Sequence, residues 1–270
     1  MSMGKRLEGK VAVVTGGANG LGNAIAKRFV KEGATVVLAT RNKARLDAAV
    51  EDFRASGGTV EGIQTDVTNE GQVIAMVHRT VEKYGQIDVL VNNSVIGGPT
   101  CALVDLKLSD WNDVLNTDLT GAMLCAREAL KAMIPRRSGN IINIGAEGGR
   151  AGDGRGGYPL RAAYCAAKMG LIGLTETLAQ EVGEYNIRVN GVSPAAMKGE
   201  RFLRVMTGRA EASVTSLEDT ISREVQNYSL QRPAEEHEVA ATCAFLASDD
   251  AGAITGQTIP VNCGWHIPIR

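Results

Sequence analysis

A tyrosine and a lysine four residues apart are the strongest candidates for chemistry in this chain. Tyr164 and Lys168 lie in the segment YCAAK, within a predicted helix at Ala163–Glu184, so both side chains share one helix face. A phenol, with an ordinary pKa of about 10, is a poor acid or base at neutral pH. Because a neighbouring ammonium favours the phenolate, the pair is suited to proton transfer. Tyr158 is a rival, but the residue four positions later is Ala162, which supplies no cation.

A glycine-rich turn near the start of the chain is the candidate phosphate-binding element. The segment from Val11 to Gly22 reads VAVVTGGANGLG, an apolar run followed by glycines and the start of a helical pattern. Gly16 can adopt backbone angles closed to other residues, Gly20 lets a ligand approach the backbone, and Gly22 allows close helix packing. The first turn of a helix presents free N–H groups and a positive dipole end. The segment therefore predicts a site for a dinucleotide pyrophosphate, the alternative being a tight connection without a ligand.

The elements that must position these residues alternate along the chain. Seven β-branched runs are predicted strands: Val11–Thr15, Thr35–Ala39, Thr59–Thr65, Ile87–Asn92, Asn140–Ile144, Ile187–Val192 and Thr258–Val261. Helical patterns lie between them, among them Leu21–Glu32, Ala44–Ala55, Gln72–Tyr84, Trp111–Met133 and Ala163–Glu184. Such alternation predicts one α/β domain, residues 1–270, with a Rossmann-like, doubly wound parallel sheet of about seven strands and helices on both faces.

Composition and charge exclude several classes of protein. The 270 residues carry 29 Lys and Arg against 30 Asp and Glu, with no basic stripe, so no nucleic-acid partner is expected. No apolar stretch approaches the length of a membrane span and no signal peptide is visible. The five cysteines are scattered without a CxxC pair, which indicates reduced thiols and a cytoplasmic location. No metal site is predicted.

Several motifs occur in an order that resembles the short-chain dehydrogenase/reductase family. They are TGGANGLG at 15–22, DV at 66–67, NN at 92–93, Asn116, YCAAK at 164–168 and IRVNGVSP at 187–194. The resemblance implies an NAD(P)-dependent oxidoreductase that transfers hydride between a nicotinamide cofactor and a small carbonyl or alcohol substrate. It further implies that Tyr164 is the general acid/base, that Lys168 binds the nicotinamide ribose, and that Asn116 anchors a water relay.

The same resemblance implies a set of cofactor contacts. They are Gly16, Asn19, Gly20, Leu21, Gly22, Asp66, Val67, Asn93, Tyr164 and Lys168, with Asp66 at the adenine and Asn93 lining the cofactor channel. Thr40 stands where NAD-selective members carry an acid, and Arg41 follows it. A cation without a carboxylate suits a 2′-phosphate, so NADP(H) is favoured over NAD(H). The alternative is that Arg41 and Arg45 are only solvated cations.

One expected catalytic group is absent. Family members usually carry a serine that donates a hydrogen bond to the substrate oxygen, and Ala146 occupies its place here. Three explanations remain open: a replacement donor, an engineered Ser→Ala variant of an active dehydrogenase, or a cofactor-binding sensor or scaffold with an impaired site. Glu147 could bond a substrate hydroxyl or point into water. The following insertion carries Arg150, Arg155 and Arg161, which could bind an acidic substrate group or be solvated.

The segment at about 198–230 interrupts the alternation of strands and helices. It is polar and weakly periodic, so it is interpreted as a substrate lid in the form of a loop rather than as regular structure. The long predicted helices Trp111–Met133 and Ala163–Glu184 resemble those of family homotetramer interfaces. A homo-oligomer, either tetramer or dimer, is therefore expected.

Overall fold

The computed structural model describes residues 5–146 and 157–265 and contains one parallel β-sheet. Its seven strands lie in the order β3-β2-β1-β4-β5-β6-β7. They are β1 (Val11–Thr15), β2 (Thr35–Thr40), β3 (Val60–Gln64), β4 (Val89–Asn92), β5 (Gly139–Ile144), β6 (Ile187–Pro194) and β7 (Thr258–Val261). The strand order reverses between β1 and β4, and ligands of such sheets bind at the carboxyl ends of the strands beside that reversal.

Helices connect the strands and cover both faces of the sheet. They are α1 (Gly20–Lys31), α2 (Lys43–Ala55), α3 (Glu70–Tyr84), α4 (Leu108–Leu115), α5 (Gly121–Arg136), α6 (Ala162–Val182), α7 (Glu200–Ala212), α8 (Leu217–Val225) and α9 (Glu236–Ala247). Side-chain caps explain where several of them begin. Asn42 and Asn69 accept hydrogen bonds from the backbone N–H groups of Arg45 and Gln72, as N-cap residues do.

The core consists of two apolar layers separated by the sheet. One layer packs α1, α2 and α9 against the sheet, and the other packs α3, α5 and α6 against the opposite face. In β1 the side chains of Ala12 and Val14 belong to the first layer, whereas Val13 belongs to the second. Because successive side chains of a strand point to opposite faces, a fully buried strand must be apolar throughout. The predicted doubly wound α/β fold is confirmed.

The segment interpreted as a loop-like lid is regular structure, which corrects the expectation. α7 and α8 form a helical hairpin tied by an ion pair of 2.9 Å between Arg209 and Glu224. Phe202 and Met206 are buried, while Leu203 is half exposed. The weak periodicity arose because only a narrow apolar stripe of α7 is buried. Within the described part of the chain, no helix is both long enough and apolar enough to span a membrane.

Candidate active site

The glycine-rich turn lies at the carboxyl end of β1 and leads into α1. Gly16 and Gly20 have φ values of 64° and 52°, a left-handed conformation that favours glycine. A Cβ on Gly22 would lie 2.3 Å from the carbonyl oxygen of Gly16, so only glycine fits this cradle. α1 has no acidic residue in its first turn, and the exposed Asn19 precedes it without capping it. The free N–H groups of this turn can therefore receive an anionic pyrophosphate.

One carboxylate approaches this turn from another helix. A Cβ on Gly20 would lie 3.7 Å from Oε1 of Glu236 in α9. Burial raises the pKa of Glu236, which lessens the negative charge that it presents near the turn.

Asn93 is hydrogen-bonded to the glycine-rich turn. Its side-chain N–H group donates to the carbonyl oxygens of Thr15 and Gly16 at 3.0 and 3.3 Å, and its backbone N–H donates to Oγ1 of Thr15 at 2.9 Å. The backbone N–H of Ser94 donates to the same hydroxyl at 3.0 Å. Asn93 thus fixes the glycine-rich turn to the end of β4, and its contact with a cofactor stays a prediction.

The end of β2 carries the residues predicted to select the cofactor. Thr40 is partly buried and Arg41 is exposed, and none of the described residues forms an ion pair with Arg41. The backbone carbonyl of Arg41 accepts a hydrogen bond of 3.0 Å from Gln64, which holds the loop to β3. The guanidinium is therefore available at the strand end where a ribose 2′-substituent is recognised in such folds.

Asp66 and Val67 follow β3 at the same edge of the sheet. The carboxylate of Asp66 accepts hydrogen bonds from the backbone N–H and hydroxyl of Thr68, at 3.0 and 2.8 Å. Val67 is buried and touches the backbone at Gly121, where an added Cβ would approach its side chain to 2.7 Å. These contacts shape the loop that borders the predicted adenine position.

The tyrosine and the lysine of α6 meet as expected. Nζ of Lys168 lies 5.6 Å from the ring centroid of Tyr164 and donates a hydrogen bond of 3.0 Å to the carbonyl oxygen of Ile144 at the end of β5. A second cation, Arg161, lies 5.1 Å from the same centroid. Arg161 also donates to the carbonyl oxygen of Gly97 at 2.6 Å. Two cations next to one phenol favour its ionised form.

The side chain of Asn116 does not lie in this group. It is exposed, at the start of a π-helical turn, Asn116–Thr120, that joins α4 to α5. Asp118 in that turn is buried instead, with a carboxylate oxygen 3.7 Å from Nζ of Lys168. The burial of Asp118 depends on contacts with α6, so no signal of it appears in the sequence. The water relay at Asn116 stays a prediction.

The position of the missing serine lies beside Tyr164. Ala146 is 6% exposed and belongs to an apolar cluster with Tyr164, Ala163 and Ala167. Glu147, Arg150 and Arg155 lie outside the described residues. Tyr158, the rival tyrosine, packs on Trp265 with ring centroids 5.9 Å apart.

A small gap lies between the carboxyl end of β1 and α6. It is lined by Thr15 and Ser94 near the glycine-rich turn, and by Asp118 and Lys168. The end of β1 that leads into the turn and the lysine of α6 thus border the same gap. Within the described residues, no cluster of three or more His, Cys, Asp or Glu could hold a metal ion.

Comparison with known proteins agrees with this geometry. A family model described as enoyl-(acyl carrier protein) reductase matches residues 16–266. A 3-oxoacyl-(acyl-carrier-protein) reductase FabG of Thermotoga maritima is 36% identical over 259 residues, covering 96% of this chain and 98% of the relative.

Two solved structures match at similar coverage. The crystal structure of NAD⁺-bound xylitol dehydrogenase has a TM-score of 0.89 and 31% identity, over 96% of this chain and 100% of that one. A single-site variant of actinorhodin polyketide ketoreductase with NADPH has a TM-score of 0.88 and 32% identity, over 97% and 99% of the two chains. The similarity thus extends over the full length of the relatives and includes the glycine-rich turn, the parallel sheet and the Tyr–Lys pair. The chain belongs to the short-chain dehydrogenase/reductase family of NAD(P)-dependent oxidoreductases, which act on carbonyl/alcohol pairs.

Proposed function

We propose that the chain is an NADP(H)-dependent ketone reductase in which Tyr164 is the general acid. The observation that carries the proposal is the position of Tyr164 beside two cations, with its ring centroid 5.6 Å from Nζ of Lys168 and 5.1 Å from the guanidinium carbon of Arg161. The nicotinamide supplies hydride to the carbonyl carbon when it is bound. Every other task falls to side chains of this chain.

The proton balance of the reduction assigns roles to two residues. As the carbonyl oxygen gains negative charge, the hydroxyl of Tyr164 donates its proton to that oxygen, and the phenolate that remains regains a proton from water. In this proposal Lys168 stabilises the phenolate electrostatically and binds the nicotinamide ribose. Its own position is held by the carbonyl oxygen of Ile144. In the reverse direction the phenolate accepts the proton of an alcohol.

The preference for NADP(H) is supported by the end of β2. Thr40 offers no carboxylate to a ribose 2′-hydroxyl, and Arg41 is an exposed cation without an ion pair among the described residues. A guanidinium forms charge-assisted hydrogen bonds with a phosphate. One solved relative holds NADPH and another holds NAD⁺, so the fold is compatible with either cofactor.

The relatives suggest the class of substrate. The 3-oxoacyl-(acyl-carrier-protein) reductase and the polyketide ketoreductase are named for substrates with a ketone on an acyl chain. The α7–α8 hairpin is proposed as the lid over such a substrate, with Phe202 and Met206 of α7 on its buried face. A cytoplasmic location belongs to the same proposal, because all five cysteines are free thiols.

The role of Tyr164 is tested by steady-state reduction of a short 3-oxoacyl thioester and a cyclic ketone with NADPH. We expect Tyr164→Phe to lower kcat by about 10²–10⁴-fold, because general acid catalysis contributes that much. Tyr158→Phe is the matched control, since it removes a phenol from the same region. A loss in Tyr158→Phe with normal turnover in Tyr164→Phe would reverse the assignment. No turnover across a panel of carbonyl compounds, even after Ala146→Ser, would favour a cofactor-binding sensor.

Cofactor choice is tested by fluorescence titration of NADPH and NADH. Arg41→Ala is expected to weaken NADPH binding by roughly 10–100-fold, the range for a lost charge-assisted hydrogen bond, and to leave NADH binding unchanged. Arg54→Ala, at the far end of α2, is the control for the loss of one positive charge. Equal weakening of both cofactors by Arg41→Ala would contradict 2′-phosphate recognition.

A further inference from the structure

A buried ion pair connects the π-helical turn to the proton-transfer residues. A carboxylate oxygen of Asp118 lies 3.7 Å from Nζ of Lys168, and the two side chains are 0% and 4% exposed. Leaving an ammonium buried without a counter-charge is costly, so removal of one partner of such a pair is strongly unfavourable. The carboxylate of Asp118 therefore stabilises the charged form of Lys168 and helps to fix the position of its ammonium group.

The other carboxylate oxygen of Asp118 has a separate structural task. Oδ1 accepts a hydrogen bond of 2.8 Å from the backbone N–H of Ile96, which lies in the segment after β4 that also contains Asn93 and Ser94. An amide side chain at position 118 could keep this bond through its oxygen. It would offer Lys168 an N–H donor instead of a negative charge. The charge on Asp118 is thus separable from its role in folding.

We propose that Asp118 is a positioning residue for Lys168, whose carboxylate holds the ammonium and offsets part of the positive charge that acts on Tyr164. The proposal rests on the proposed role of Tyr164 as general acid. It gives a role beside Lys168 to the carboxylate of Asp118, whereas the sequence alone had pointed to the neutral side chain of Asn116.

The charged groups around the Tyr164 phenol determine how the Asp118 carboxylate affects the ionisation of that phenol. Among the described residues, Lys168 and Arg161 contact the Tyr164 ring as cations, and Asp118 is the anion paired with Lys168. Cys165 and Tyr158 are the neighbouring titratable groups in the same apolar cluster. When Lys168 remains protonated, loss of the Asp118 charge leaves both cations without it, so the phenolate becomes easier to form and Tyr164 ionises at lower pH. One unit charge several ångströms away in a partly buried site shifts ionisation by about one pH unit.

The test is an NMR titration of cofactor-free protein labelled with ¹³Cζ-tyrosine. The Tyr164 resonance is assigned by its absence from Tyr164→Phe, and Asp118→Asn is compared with the wild type. We expect the Tyr164 transition to move to lower pH by about one unit in Asp118→Asn, and Asp118→Glu to retain the wild-type transition because it restores the charge. Asp113→Asn, an exposed aspartate of α4, is the control and should cause no shift.

The outcomes separate this proposal from the proposed function. An unchanged or upward-shifted transition in folded Asp118→Asn would overturn the role of Asp118. If Asp118→Asn fails to fold, Asp118→Ser removes the same charge with a shorter side chain: a transition at lower pH supports the role of the charge, and an unchanged transition overturns it. Because the titration needs neither substrate nor cofactor, it gives its answer even if Tyr164→Phe leaves turnover intact.

Discussion

At the scale of single residues, the group facing a substrate oxygen sets how much negative charge the site can stabilise. Tyr164 provides one hydrogen-bond donor, and the neighbouring position is the apolar Ala146. The hydroxyl of Ser193 is buried beside Gly145, and within the part of the chain that the structure describes it has no hydrogen-bond partner. Ser193 is therefore a candidate replacement donor.

A serine at position 146 is expected to raise turnover. Ala146→Ser adds a donor beside Tyr164, and such donors are worth about 10²–10³ in kcat, so we expect kcat for ketone reduction to rise toward that factor. Steady-state kinetics with NADPH measures it, and Ala163→Ser is the control because it adds a hydroxyl in the same cluster on α6. An unchanged kcat would show that the substrate oxygen already has its second donor.

At the scale of elements, the π-helical turn between α4 and α5 carries the residue that reaches Lys168. The turn buries Asp118 and exposes Asn116. Such turns occur often at functional sites, and here the turn brings a carboxylate oxygen within 3.7 Å of Nζ of Lys168 on α6.

The first helix is anchored by a carboxylate at its carboxyl end. Glu32 accepts hydrogen bonds from Arg6 and Arg28, with distances of 2.7 and 2.8 Å to the nearest nitrogen atoms. The hydrogen bond from Arg6 lowers the pKa of Glu32 to about 2. The folded-state pKa therefore lies below the unfolded value, and the stabilisation is present above the unfolded pKa and lost as the pH falls toward about 2.

Neutralising Glu32 should lower stability and flatten its dependence on acid pH. We expect Glu32→Gln to lower Tm at neutral pH by roughly 2–4 °C, corresponding to about 1 kcal/mol, and to lose less further stability than the wild type as the pH falls below about 4.5. Thermal unfolding followed by circular dichroism across this range measures both. Glu51→Gln, an exposed and unpaired carboxylate of α2, should behave as the wild type. Parallel pH curves for wild type and Glu32→Gln would contradict the assignment.

At the scale of the whole molecule, the outer face of α6 is the candidate surface for self-association. Met169 is 47% exposed on this helix, and Gly173 on the same helix has open space where a Cβ would stand. A small-residue, partly apolar helix face lets a second copy approach closely. The same helix carries Tyr164 and Lys168 on its inner face, so assembly through α6 would also brace the site.

The assembly is expected to be a dimer or tetramer in solution. Light scattering coupled to size exclusion should give two or four times the mass of the chain, and Met169→Asp should shift the mass toward the monomer by placing a charge in the interface. Ile74→Asp is the matched control, since Ile74 is 44% exposed on α3. A monomeric wild type, or an equal effect of both variants, would remove α6 from the interface.

Local sequence patterns were sufficient to predict the fold, the glycine-rich turn and the Tyr164–Lys168 pair. Runs of β-branched residues predicted β1 and β7 to the residue. β1 is buried throughout and therefore apolar on both faces, whereas β7 is a partly exposed edge strand that its β-branched residues still marked. The glycine-rich turn and the Tyr164–Lys168 pair were also predictable, since strand–turn–helix geometry and a four-residue helical spacing are local properties.

The remaining features depend on contacts between distant segments. Which of Asn116 and Asp118 faces Lys168 depends on a π-helical turn packed against α6, and Asn93 serves the glycine-rich turn because β4 lies beside β1. Residues 200–225 fold as two helices because α7 buries a narrow apolar stripe that contains Phe202 and Met206. The sequence by itself determined the family, the sheet and the Tyr164–Lys168 pair, whose signals are local. Only the tertiary structure decided the charge around that pair, since burial and through-space distance set the strength of electrostatic interactions.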